Sequence, residues 1–139
     1  MEKVTKTQVK DFVIENCIGS MINLDCGDVD SIFTEKDEIE HFMYEEPMES
    51  QVEGTRVIEI LGSDKEMVFE HLEHARAVLL FIHFNSADEV CLTMEDMNGL
   101  NELMQHCGIA NGGDVETKWG LNSSDDCPYA LRLHLFVAK

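Results

Sequence analysis

The stretch GSMINLDCGDVDSIF, residues 19–33, joins two segments of helical apolar periodicity and decides how the chain is divided. Upstream, TKTQVKDFVIENCIGSM (5–21) places Val9, Phe12, Val13 and Cys17 on one helical face. Gly19-Ser20 then stops that helix, as a C-terminal glycine does. Downstream, DVDSIFTEK (28–36) predicts a short helix with Val29, Ile32 and Phe33 turned inward. Asn23 and Asp25 stand between the helices, and Asp28 and Asp30 in the first turn of the second. The three carboxylates suit a helix N-terminus, where the dipole favours negative charge. A cap, a cation site and a catalytic loop all remain open at this point. A calcium loop of the EF-hand type does not, because it needs Gly at its sixth position and Glu at its twelfth. Counted from Asp25 those positions hold Asp30 and Lys36, and counted from Asp28 they hold Phe33 and Ile39.

The chain has 139 residues, the size of one domain that buries enough surface to fold without staples. Its 44% hydrophobic content excludes wholesale disorder. Ten basic and 28 acidic residues leave a net charge of −18. No Lys/Arg cluster exists to neutralise phosphates, so neither a nucleic acid nor an anionic membrane is expected as partner. The opening MEKVTKTQVK has no apolar signal region, and AVLLFI (77–82) is too short to span a bilayer. The Met1 start is that expected of a natural short protein. The five Cys, at 17, 26, 91, 107 and 127, form no C-x-x-C, so reduced core thiols in a cytoplasmic protein are expected.

Residues 35–53 carry eight acids and one Lys around HFMY, a short strand candidate that Pro47 ends. GTRVIEILGS (54–63) reads as a helix, although RVIEI also alternates like a strand. ARAVLLFIHFN (75–85) is a continuous apolar run and predicts a strand covered on both faces or central in a sheet. TMEDMNGLNELMQHCG (93–108) predicts a helix, started by Thr93 with Asp96 and ended by Gly108. DVETKWGLN (114–122) and YALRLHLFVAK (129–139) alternate about the turn-rich NSSDDCP, which predicts an antiparallel hairpin. The expected architecture is α+β: a two-layer sandwich with helices packed on one face of a four-stranded mixed or antiparallel sheet.

These residues together resemble the C-terminal half of the bacterial tubulin-like cell-division GTPase family, FtsZ. In that family a long central helix is followed by a loop of the form N-x-D-x-x-D-V. Asn23, Asp25, Asp28 and Val29 have this spacing, after a helix ending at Gly19. The strand HARAVLL (74–80), the helix near 92–108 and the pair Trp119-Gly120 are similar to later family elements. The resemblance extends over about residues 9–137. The chain departs from the family at Cys26 and Gly27, where Phe and Ala are usual, and in the acidic IEHFMYEEPMES (39–50).

The resemblance implies a tubulin/FtsZ C-terminal-type domain over residues 1–139. Residues 1–20 would be the end of the central helix and 21–139 the domain proper. It also implies that Asn23, Asp25 and Asp28 would act only in trans. They would orient water and a cation in the nucleotide pocket of a neighbouring GTPase, the positioning that phosphoryl transfer needs. No Gly-rich phosphate loop occurs in these 139 residues, so no GTP binding or hydrolysis by this chain alone is expected, and no cofactor. The expected role is a non-enzymatic interaction domain, with a full-length FtsZ-like GTPase or a second copy as partner. The alternative is a reused homo-oligomeric module whose loop is only a cap.

Other candidates weigh less. His71 and His74 in EHLEH lack further ligands at metal spacing and read as two surface histidines on a helical turn, so no metal site is expected. His83 and His134 are expected on the helix-free or semi-polar side of the sheet, and Asp30 on the surface.

Overall fold

The computed structural model describes residues 2–16, 24–47, 56–85, 94–124 and 127–139. In chain order the elements are β1 (Glu2–Val4), α1 (Lys6–Asn16), α2 (Cys26–Ile32), β2 (Ile39–Pro47) and α3 (Arg56–Glu59). They continue with α4 (Lys65–Glu73), β3 (Ala77–Asn85), α5 (Met94–His106), β4 (Glu116–Ser124) and β5 (Tyr129–Ala138). Short 3₁₀ turns precede α4 and follow α5.

The strands form one sheet in the order β1-β2-β5-β3-β4. β3 and β4 are parallel, and every other pair is antiparallel. The class is the expected α+β with a mixed sheet, enlarged from four strands to five by the short edge strand β1. The segment around HFMY is a full nine-residue strand, Ile39–Pro47. The segment that could read as helix or strand is α3, a single helical turn.

The alternation of β3 explains its central place. Val78, Leu80, Ile82 and Phe84 enter a core shared with α3, α4 and α5. Ala77, Leu79 and Phe81 enter a second core with α1 and α2. Helices therefore cover both faces, where one covered face was expected. The second layer exists because β3 and β5 present apolar residues on both sides; Phe136 and Ala138 of β5 join Ile39 beneath Val9, Val13, Val29 and Ile32. An uncovered face of that composition would leave large apolar area in water, at ~25 cal/mol per Å².

The expected β4–β5 hairpin is not formed. β4 and β5 run in opposite directions, but β3 lies between them and pairs with both. The reason is in the side chains. Apolar on both faces, β3 is stabilised by two neighbours. β4 puts Lys118 and Asn122 on one face and stays at the edge. The chain reaches β4 from β3 through α5, the crossover that parallel strands require.

Gly108 ends α5 as expected. Its φ is +70°, its amide donates to the Leu72 carbonyl at 2.8 Å, and a Cβ there would lie 2.6 Å from Val115 Cβ. On α1, Val9 and Val13 are buried and Phe12 packs beside them, while Cys17 lies outside the described residues, as do Gly19-Ser20 and Thr93. Among the described residues no helix is long and apolar enough to cross a membrane.

Candidate functional site

Leu24 is buried in the α1/α2 core and anchors the chain where it enters α2. Asp25 follows as the N-cap, with the extended backbone (φ −131°, ψ 175°) that a cap requires. Its Oδ1 accepts from the Asp28 amide at 2.9 Å, and Asp28 Oδ2 accepts from the Asp25 amide at 3.0 Å. This reciprocal capping box satisfies two amides that a helix start otherwise leaves without partners. The second oxygen of each carboxylate lies outside the box, and Asp28 Oδ1 faces Lys118 Nζ of β4 at 3.8 Å.

Thus Asp25 and Asp28 are brought together at the start of α2, Asp25 exposed and Asp28 half-exposed. Asn23, the third expected residue, lies outside the described residues. Asp30 points elsewhere. It bridges Lys10 (2.7 Å) and Lys6 (3.0 Å) of α1, and hydrogen bonds from Lys10 first and Lys6 second hold its carboxyl below the usual range. Asp30 therefore ties α2 to α1, while the first two carboxylates remain at the helix start.

A second polar cluster lies on the face carrying α1. His41 Nε2 and His134 Nδ1 are 3.0 Å apart. Phe12 covers His134, with ring centroids 4.6 Å apart, and Phe136 stacks on His41 at 4.2 Å. Burial, then the neighbouring His41, push His134 down to about 3; burial also lowers His41. His134 is thus not on a helix-free side, because Phe12 of α1 reaches over it. His83 is half-buried further along and meets the Tyr129 hydroxyl at 2.7 Å. Arg132 stacks over Tyr129 at 3.9 Å and donates twice to Glu45 Oε2. Burial, opposed by Arg132, pushes the Tyr129 phenol up to about 12, so it stays neutral.

His74 is exposed, as expected of a surface residue, but His71 is half-buried with Nδ1 2.6 Å from Glu40 Oε2. Among the described residues no three His, Cys, Asp or Glu surround one point in a way that would hold a metal ion.

Neither a known protein family nor a curated protein sequence matches the chain. Its fold has clear counterparts among solved structures. An FtsZ dimer from M. jannaschii matches 95% of this chain with a TM-score of 0.59. The chain has an FtsZ/tubulin-like C-terminal-domain fold. In that comparison identity is 15% and 38% of the FtsZ chain is covered. A GTPγS-form protofilament of TubZ from Bacillus thuringiensis serovar israelensis matches 88% of this chain and 30% of its own, at TM-score 0.56 and 16% identity. A helical model of the four-stranded TubZ-Bt filament matches 94% of this chain and 33% of its own, at TM-score 0.55 and 14% identity. The chain thus spans about a third of the length of these proteins. At such identity the likeness is one of fold.

The sequence carried the Asp25/Asp28 pair in its D-x-x-D spacing. It carried no signal for His41 with His134, which are 93 positions apart and meet only through the β2–β5 register.

Proposed function

We propose that this chain is a non-enzymatic interaction domain that docks on an FtsZ-like polymerising GTPase and modulates it in trans through the start of α2. The observation that carries the reading is the capping box. It holds Asp25 and Asp28 side by side at the surface, each with one oxygen outside the box, on a fold matched by FtsZ and TubZ. On this reading Asn23, Asp25 and Asp28 meet the partner's nucleotide pocket, and within residues 1–20 it is α1 (Lys6–Asn16) that stands for the end of a central helix, the preceding β1 having joined the sheet of the domain at 21–139. The partner supplies the phosphate site and the chain supplies oriented carboxylates, a role that needs positioning more than covalent chemistry. A cytoplasmic location and a part in cell division belong to the same reading.

The test is a GTP-turnover and sedimentation assay of the host's FtsZ-like GTPase with increasing amounts of this chain. A dose-dependent change in turnover or in pelleted polymer is expected. No change in either, up to several-fold molar excess, overturns the reading.

A second reading is self-association, which β4 favours: among the described residues it is the last strand in the sheet order, next to β3. FtsZ and TubZ are described as a dimer and as filaments. Copies that carry −18 each repel, so association by this route strengthens with salt. Sedimentation velocity at low and high ionic strength separates the two readings.

A further inference from the structure

We propose that His41, His134 and Met43 form a binding site for one soft monovalent d¹⁰ cation, Cu(I) in chemical class, on the sheet face beside α1. The β2–β5 register sets His134 directly opposite Met43 and His41 opposite Phe136, so the two histidines are diagonal neighbours and Met43 completes the triangle on one face. His41 Nε2 and His134 Nδ1 already converge to 3.0 Å. Two imidazole nitrogens bound to one ion at ordinary metal–nitrogen lengths stand ~3.4 Å apart at a tetrahedral angle. An opening of a few tenths of an ångström therefore admits an ion.

The chemistry of the donors selects the ion. Among the described residues no third His, Cys, Asp or Glu completes a hard or closed zinc-type set. The third donor available is a thioether, and imidazole with thioether suits Cu(I). Binding needs no net proton release: the N–H between the two rings moves to the far nitrogen of the same imidazole, leaving a lone pair on each facing nitrogen. Phe12, Phe136 and Phe81 wall the histidines on the protein side. Met43, 49% exposed, stands on the solvent side and marks the entry. Glu2 is paired opposite His41, and the net charge of −18 draws cations towards the surface.

A purely structural His–His hydrogen bond would make no use of Met43, and the experiment turns on that difference. Ag(I), a redox-inert stand-in for Cu(I), is titrated into the full chain after accessible thiols have been blocked with N-ethylmaleimide. Imidazole ¹⁵N signals of His41 and His134 and the Met43 methyl are followed together. The site predicts that all three move in one saturable step. In Met43→Leu, a substitution at an exposed position that spares the fold, affinity should fall roughly tenfold or more. In His41→Phe the step should vanish, together with the rise in melting temperature that Ag(I) gives the unmodified chain. Unmoved imidazole and methyl signals at excess Ag(I) overturn the proposal. So does a histidine response of undiminished affinity in Met43→Leu.

Discussion

Replacing both Asp25 and Asp28 by Asn separates the architecture of the α2 start from its charge. Each capping bond uses one side-chain oxygen, Asp25 Oδ1 and Asp28 Oδ2, and an amide oxygen can accept the same bonds. What the double variant loses is charge. Two carboxylates near a helix N-terminus are worth about 0.3–1 kcal/mol each. The Asp28–Lys118 pair, 3.8 Å apart with side chains 26% and 45% exposed, adds at most a few tenths after solvent screening. Relief of self-repulsion in a chain of net charge −18 works the other way. The expected cost is about 1 kcal/mol. Unfolding entropy near ~2.1 cal/mol/K per residue makes that a fall of roughly 3 °C in Tm for 139 residues. The double Ala variant removes the caps as well and should cost about 2–4 kcal/mol, or roughly 7–14 °C. Thermal melts followed by far-UV circular dichroism read both. Equal losses in the Asn and Ala variants would refute the division between cap and charge. Under the trans proposal the Asn variant should also stay folded while losing its effect on the partner's GTP turnover.

Stability should fall with acid through His134. Its folded pKa of about 3 lies below the unfolded value near 6.5, so its contribution is intact above that value and is lost as pH drops below it. Between pH 7 and pH 5 denaturant unfolding should register a loss of about 2 kcal/mol, reduced in His134→Phe. Leu133→Ala, at a fully buried position of β5 between β2 and β3, should cost about 2–5 kcal/mol in the same assay. Gly108→Ala should lower Tm by several degrees, because φ is +70° and the new methyl meets Val115 at 2.6 Å. Amide exchange should be slowest in β3 and β5, which pair on both sides, and fast in the three-residue edge strand β1.

What the sequence reveals of this fold follows the range of the interaction involved. α2 is readable because its determinants lie within two turns: Asp25, Asp28, Val29 and Ile32 specify cap and inner face with no help from distant residues. β3 is readable as a central strand because Leu79, Leu80, Phe81 and Ile82 demand cover wherever they sit, and β5 as a strand because Leu131, Leu133, Leu135 and Val137 alternate. Pairing was not readable in the same way. The alternation of β4 and β5 about a turn is compatible with a hairpin, and only competition with β3 decides otherwise. β3 is sequence-distant from both, so no local pattern reports that competition. The second helical layer was missed for a related reason. Leu131, Leu133, Leu135 and Val137 mark one apolar face of β5, but Phe136 and Ala138 on the other face are too few to announce a second core until Ala77, Leu79 and Phe81 of β3 are set beside them.

The same distinction separates the two polar clusters. Asp25 and Asp28 are three residues apart, so a motif can carry them. His41 and Met43 belong to HFMY, legible only as a short strand candidate within an acidic stretch, and His134 to a strand marked by its leucines. Their convergence depends on the register between β2 and β5. A slip of one residue there would send His134 to the helix-rich face and leave Leu133 or Leu135 opposite Met43. The register is held by burial on both sides of β5, with Leu133 in one core and Phe136 in the other. The geometry of His41, Met43 and His134 is thus a consequence of the two-sided core. A substitution that loosens that core, such as Leu133→Ala, should weaken Ag(I) binding at His41 and His134 without touching a ligand.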